Sequence, residues 1–239
     1  MRKTLKKIAR QFGLEISRNS AFSSSPGQVV KALEMANINL LFDVGSNEGQ
    51  FACEIRDFGY SGRIVSFEPV TSAWKALSNL AGSDLGWIVA ERCAIGERHG
   101  EIEINIAGNS VSSSILPMLE AHSRASVESS YVEKELAPIF KLDSIAGRYT
   151  HTETNVFIKI DTQGYEWQVL DGASETLRHT RGLLCELSLV PLYRGQRLWR
   201  DIVDRLEAEG FFLWGIQKGF TDPLTGQSLQ MDGIFLRRP

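Results

Sequence analysis

Two periods of hydrophobicity alternate along this chain. Short apolar runs at "INLLFDVG", "GRIVSFEP" and "GWIVAERCAIG" read as strands, each closed by glycine, proline or a polar turn. Between them the spacing becomes helical: Phe51, Ile55 and Phe58 with Gly59 as a stop, then Trp74, Leu77 and Leu80 ending near Gly82. Strands separated by helices at this pace predict a parallel sheet covered on both faces. The middle breaks the rhythm. "EIEINIAG" alternates like a strand, a serine-rich stretch of weak periodicity follows, and "APIFKLDSI" resumes a strand-like pattern. Residues 105–140 are therefore expected to be an insertion, a lid over a site or a solvated excursion. The α/β rhythm returns with "NVFIKID", a helix through Trp167, Leu170 and Ala173, and "GLLCELS". A helix carrying Trp199, Ile202 and Leu206 on one face then leads into a closing hairpin, "FFLWGIQKGF" and "QMDGIFLRR". The expected layout is one domain over residues 37–239, preceded at 1–36 by a basic amphipathic helix and a connecting segment. Its last strand is expected to run antiparallel on a mostly parallel sheet.

Composition narrows the partners. At 239 residues, 43% hydrophobic and 23% charged, the chain is of ordinary globular make-up. A net charge of −3 offers no basic surface for nucleic acid. Cys53, Cys93 and Cys185 are odd in number and widely spaced, as expected of small buried residues in a reducing cytoplasm, and no pair has metal-ligand spacing. The N-terminal "MRKTLKKIARQFGLEI" puts Leu5, Ile8 and Phe12 on one helical face with lysines and Arg10 around it. Its charges precede no continuous apolar run, which argues against a signal peptide, and no segment approaches membrane-spanning length. The helix is expected either to touch an anionic membrane surface or a partner protein, or to pack on the domain with its lysines solvated.

Two stretches carry chemistry. "LLFDVGSNEGQF" is a strand, a glycine-bearing turn and a helix start, with Gly45 and Gly49 allowing close approach of a ligand to the backbone. Glu68 ends the next strand 19 positions after Gly49, where a carboxylate can accept both hydroxyls of a ribose. A dinucleotide needs Gly-x-Gly-x-x-Gly; here the spacing is Gly-x-x-x-Gly, and Glu48 would set negative charge beside a pyrophosphate. S-adenosylmethionine has no phosphate and carries a positive sulfonium, which tolerates nearby acids. The second stretch, "FIKIDTQGYEW", writes Lys159 and Asp161 into a strand core on the same face, an expensive placement unless the charges are paired or used.

The blocks "FDVGSNEGQF", "SFEP", "CAIGE", "SVSSSIL", "KLDSI", "IKIDTQGYEWQVLDGA" and "LLCELS", in this order, resemble the FkbM-type methyltransferases from about Leu40 to the closing hairpin. The resemblance implies a Rossmann-like class I methyltransferase fold with a seven-stranded sheet. It also implies S-adenosylmethionine as cofactor and O-methylation of hydroxyls on sugars and natural products. Departures are few. Ser46 stands where alanine is common, Val70 and Thr71 where a proline often follows Pro69, and Thr162-Gln163 where Val-Glu is usual, which removes an acid beside the expected centre.

Carried onto this chain, the resemblance places Asp43, Gly45, Ser46, Asn47, Gly49 and Phe51 around the methionine and ribose end of the cofactor. Glu68 and Pro69 would meet the ribose, Cys93 and Ala94 would flank the adenine, and Ser113 and Ser114 would close over cofactor or acceptor. Asp161, at the end of the fourth strand, would take the acceptor proton or hold the hydroxyl in line, with Lys159 pairing to it. Glu186 is a second candidate base, and Asp161 with Glu186 could supply oxygen ligands to a divalent metal, though two scattered acids are no metal signature. Tyr193 and Arg194 suit stacking on and hydrogen-bonding a glycan or small-molecule acceptor. His122 is read as a solvated surface histidine, with a lid-borne base as its alternative. The rival functions are a nicotinamide-dependent oxidoreductase and a methyltransferase-like binding module without turnover.

Overall fold

The computed structural model describes Gln11 and residues 24–238. The basic helix expected at the N-terminus lies, but for Gln11, outside the described residues. From residue 24 onward the described chain opens with α1 (Ser25–Met35), in what the sequence presents as connecting chain. Pro26 sits in its first turn, where a missing N–H is tolerated. Its buried Val29, Ala32 and Leu33 make it part of the domain core, so the domain begins before residue 37.

Strand and helix then alternate: β1 (Leu40–Val44), α2 (Gln50–Asp57), β2 (Arg63–Phe67), α3 (Thr71–Ala81) and β3 (Trp87–Val89). The middle contributes β4 (Ala94–Ile95), β5 (Gly100–Ala107), α4 (Glu120–Ala125), β6 (Tyr131–Phe140) and α5 (Leu142–Ile145). The second half is β7 (Val156–Ile160), α6 (Glu166–Asp171), α7 (Ser174–His179), β8 (Thr180–Ser188), α8 (Trp199–Ala208), β9 (Phe211–Lys218) and β10 (Gln230–Arg237).

A seven-stranded sheet runs in the order β3-β2-β1-β7-β8-β10-β9, with β10 antiparallel to both neighbours and the pairs from β3 to β8 parallel. Alternation along the strands builds a core on each face. Ile158 and Ile160 of β7 join Phe42 and Leu183 under α6, α7 and α8. Phe157 joins Leu41, Ile64 and Leu184 under α1, α2 and α3. Lys159, two residues after Phe157, therefore leaves the sheet on the α2 side.

The insertion is more ordered than its composition suggests. Its two ends are β5 and β6, which pair antiparallel and, with β4, form a separate three-stranded sheet. The serine-rich part between them is fastened to the domain, with Leu119 N–H donating to Leu192 O and Arg194 N–H to Pro117 O, each at 2.8 Å. Among the described residues no helix is long and apolar enough to cross a membrane.

Ile158 is fully buried at the middle of β7. Ile158→Ala should lower unfolding free energy by about 2–5 kcal/mol, read from urea titration.

Candidate active site

The carboxyl ends of β1 and β7 form the switch point of the large sheet, because the chain turns outward from β1 to β2 on one side and from β7 to β8 on the other. Gly45 follows β1 with φ +75°, and a Cβ there would stand 1.9 Å from the Asp161 carbonyl oxygen. Only glycine satisfies both the left-handed backbone and this approach. The Asp161 N–H donates to Val44 O at 3.1 Å, so the β1 turn and the exit of β7 are locked together beneath a cavity of about 300 Å³.

Register sets the charges. Ser66 of β2, Asp43 of β1 and Lys159 of β7 are direct neighbours across three strands. Lys159 Nζ lies 3.2 Å from Asp43 Oδ1 and 3.4 Å from Asp161 Oδ2, and donates to Gly45 O at 2.8 Å. Ser66 Oγ donates toward Asp43 Oδ2 at 3.4 Å and accepts from the Trp87 indole at 2.9 Å. Burial pulls the Lys159 ammonium down, but Asp43 and Asp161 outweigh it and hold its pKa above the ordinary lysine value. Lys159 therefore stays a cation and is no proton acceptor. Asp43, expected to line the cofactor site, is fully buried and absent from the cavity wall; it anchors Lys159 from below. The Asp161 side chain keeps 41% of its surface exposed.

The glycine turn and the end of β2 make one wall. Glu68 accepts the N–H of Asn47 on Oε2 and of Val70 on Oε1, both at 2.8 Å. Burial pushes its carboxyl up to about 7. Asn47 has φ +46°, and its Oδ1 is buried without a partner while the residue lines the cavity. Ser46 lines the cavity but spends its hydroxyl on the Asp43 carbonyl at 2.7 Å, its N–H on Phe67 O at 3.2 Å and its carbonyl on the Gly49 N–H at 2.9 Å, so it holds the turn rather than a ligand. Gly49 is set away from the cavity. It starts α2 with φ +96°, and a Cβ would press on Trp87 at 2.8 Å, so packing rather than ligand approach requires glycine there. Phe51 and Pro69 line the cavity, and the Phe51 ring is 5.7 Å from Lys159 Nζ.

Cys93 and Ala94 close the far end with Val70, Ala73 and Ile104, side chains the sequence did not single out. Burial pushes the Cys93 thiol up to about 12, so it is an inert apolar group. Ser113 and Ser114 line the cavity, but their oxygens are engaged: Ser113 accepts the Ala107 N–H, and Ser114 donates to Gln163 O at 2.7 Å. Ser114 ties the insertion to the turn after β7.

Gln163, with φ +53°, is the hub that sequence reading missed. Its Nε2 donates to Asp161 Oδ1 at 2.9 Å and faces both Glu186 carboxyl oxygens at 3.1 Å, and its Oε1 accepts from the Tyr193 hydroxyl at 2.8 Å. That phenol oxygen is 3.1 Å from His122 Nε2, while His122 Nδ1 meets Ser129 Oγ at 3.0 Å. Asp161 orients the amide and the amide oxygen takes the phenol proton, so the phenol oxygen faces His122 Nε2 as an acceptor, while the Ser129 hydroxyl also has Ser126 O at 2.5 Å. Three expectations change here. Tyr193 is fully buried and cannot stack on a sugar, and His122, 3% exposed, is neither solvated nor free to act as a base. Arg194 is exposed and lines neither this cavity nor the one beside it. The signal for Gln163 was the departure from Val-Glu: a third carboxylate there would oppose two others.

Glu186 is held well above the carboxylate range by burial and by the Asp161, Glu166 and Asp232 charges. Asp232 stands opposite it on β10, pushed up to about 7 by burial and by Asp161. Glu166, also raised to about 7 by burial, accepts the N–H groups of Thr162 and Gly164 at 3.0 Å and so clamps the turn bearing Gln163. Among the described residues no set of three His, Cys, Asp or Glu is placed to hold a metal.

Comparison with known proteins adds the family level. The Methyltransferase FkbM domain model matches residues 43–213, well over half of the chain. No curated protein matches the sequence. Among solved structures, a Klebsiella pneumoniae protein provisionally described as an O-methyltransferase is similar at TM-score 0.51 and 11% identity, over 99% of this chain and 89% of that one. Aeropyrum pernix fibrillarin, solved with natively bound S-adenosyl-L-methionine, gives TM-score 0.46 and 8% identity, over 87% and 74%. At such identities the first likeness speaks for the Rossmann-like fold of class I methyltransferases alone, and the second adds nothing to it.

Lys159→Met strands the Asp43 carboxylate and should cost about 3–5 kcal/mol in urea unfolding. Adding Asp43→Leu should recover most of the loss. Stability should also depend on pH. Glu68, Glu166, Asp232 and Glu186 keep their protons to about pH 7 or above when folded, but ionise near 4–4.5 when unfolded. The folded chain therefore binds more protons across this window, and stability falls as pH rises through it. His122, held below the usual histidine value by burial, opposes this near and below pH 6.5. Four groups against one predict a melting temperature, without cofactor, lower at pH 8 than at pH 5.5.

Proposed function

The chain belongs to the FkbM methyltransferase family, and on that footing we propose that it is an S-adenosylmethionine-dependent O-methyltransferase acting on a sugar hydroxyl. The observation that carries this reading is Asp161: a half-exposed carboxylate at the cavity edge, fixed by a permanent cation and by an amide.

The residues present fit the cofactor. Asn47 Oδ1 is a buried acceptor without a donor, as suits a site that receives an amino or hydroxyl group. Glu68 has lone pairs left beside its two backbone bonds, in reach of a ribose diol. Val70, Ala73 and Ile104 offer apolar contact to a purine face. When bound, S-adenosylmethionine would supply a methyl group on a sulfonium, which departs as a neutral thioether as the acceptor oxygen bonds to carbon. The chain aligns that oxygen and manages its proton. Asp161 Oδ1 is held by Gln163 and Oδ2 by Lys159, so the carboxylate cannot rotate away from the acceptor. It accepts the hydroxyl hydrogen bond in the ground state and the proton as the new C–O bond forms. Lys159 remains charged throughout. Glu186, held protonated, is poorly suited as the base at neutral pH; Gln163 joins it to Asp161 without adding charge.

Calorimetry should show S-adenosylmethionine binding with NAD silent; NAD binding alone would overturn the reading in favour of an oxidoreductase. Asp161→Asn should bind S-adenosylmethionine within about threefold of wild type. The same variant should transfer methyl groups about 10²–10⁴-fold more slowly. Unchanged turnover would remove Asp161 from the mechanism.

A further inference from the structure

A second cavity, of about 210 Å³, lies on the other side of Asp161. Phe51, Glu54, Lys159 and Asp161 line both cavities. The rest of the second is built by elements far apart in sequence: the first turn of α1, Leu184 of β8, and the closing hairpin with Lys218 and Asp232. Gln217 of β9 fixes the α1 turn to that hairpin, its Nε2 donating to Ser25 O at 2.9 Å and to Gln28 Oε1 at 3.1 Å.

We propose that this second cavity is the acceptor subsite and that it takes a neutral, polyhydroxylated ring. The inference rests on the methyltransferase reading and adds to it where the acceptor sits and what charge it carries. In-line displacement needs the acceptor on the side opposite the leaving group, with one residue bordering both compartments. Asp161 borders both. The charge of the ring follows from what the walls can offer. Lys159 is ion-paired with Asp43 and Asp161 and donates to the Gly45 carbonyl, so its charge is already met within the chain. Glu54 and Lys218 both line the cavity and both are exposed, Asp161 is paired with Lys159, and burial raises Asp232 to about 7. The wall thus holds no uncompensated charge and suits hydroxyl groups over a carboxylate, a phosphate or an ammonium. Asp232 lies opposite Glu186 on the sheet face that also carries Leu184, so an apolar floor of Val29, Leu184 and Phe51 faces the C–H side of a ring while Asp161 and Asp232 reach its hydroxyls.

The test uses the full chain saturated with S-adenosylhomocysteine, with methyl α-D-glucopyranoside as probe and its uronate and 2-amino analogues as comparators. Saturation-transfer NMR should show contact with the neutral glycoside and none with the uronate. Ser25→Trp, placed at the exposed edge, should fill the cavity and weaken the glycoside at least tenfold. Asp232→Asn should weaken it about threefold to tenfold. Both variants should bind S-adenosylhomocysteine within twofold of wild type by calorimetry. An undiminished glycoside signal in Ser25→Trp overturns the assignment. So does preference for the uronate or the amine, or no glycoside contact while S-adenosylhomocysteine binds. If S-adenosylhomocysteine itself fails to bind, the methyltransferase reading falls and this inference with it.

Discussion

One ammonium group between two carboxylates holds the working edge of the sheet together. Lys159 is almost completely buried, and so is Asp43, its neighbour across β1 and β7. Neither could be buried alone, since an unpaired charge in this interior would cost several kcal/mol. Pairing them leaves the Lys159 ammonium with capacity for two more contacts, and it spends these on Gly45 O and Asp161. The floor of the glycine turn and the carboxylate at the cavity edge are thereby fixed by the same atom. Breaking this group would loosen the turn, the base and the junction of the two cavities together.

A second polar chain reaches the same carboxylate from the opposite direction. Ser129, His122, Tyr193 and Gln163 run from the insertion through the interior to Asp161. At its end the amide presents its donors to Asp161 and Glu186 and its oxygen to the phenol. The left-handed backbone at Gln163 is held by the Glu166 clamp and by the Ser114 hydroxyl. The insertion is thus a buttress to the site: it carries the far end of the chain that orients the base.

Much of this was legible along the chain. The βα alternation, the strand-turn-helix around Gly45 and the closing hairpin are local patterns, and local periodicity is what decides which face of a strand or helix is buried. Gly45, Asn47, Glu68, Cys93 and Asp161 meet at one cavity because they follow strand exits, and exits of parallel strands converge; Phe51 joins them from the first turn of the helix after β1. Other readings failed for equally physical reasons. Tyr193 and His122 look like polar groups in loops, but each is buried by segments more than 60 residues away in sequence. Asp43 and Gly49 belong to the glycine turn in sequence, yet packing turns one beneath the cavity floor and the other toward Trp87. Strands β4, β5 and β6 carry no signal that they leave the main sheet for one of their own.

By itself, then, the sequence determined the order of elements, the family, and the identity of the charged residue at the exit of the fourth parallel strand. Those depend on spacing along the chain, which folding does not alter. Tertiary structure decided which charges are partners and which are offered to a ligand. Lys159 acquires Asp43 only because β1 and β7 lie in register, and Gln163 finds Tyr193 and Glu186 only when three separate segments close around it. The two charges in "FIKID" are affordable for that reason: the strand beside them supplies the counter-charge, and its own sequence cannot.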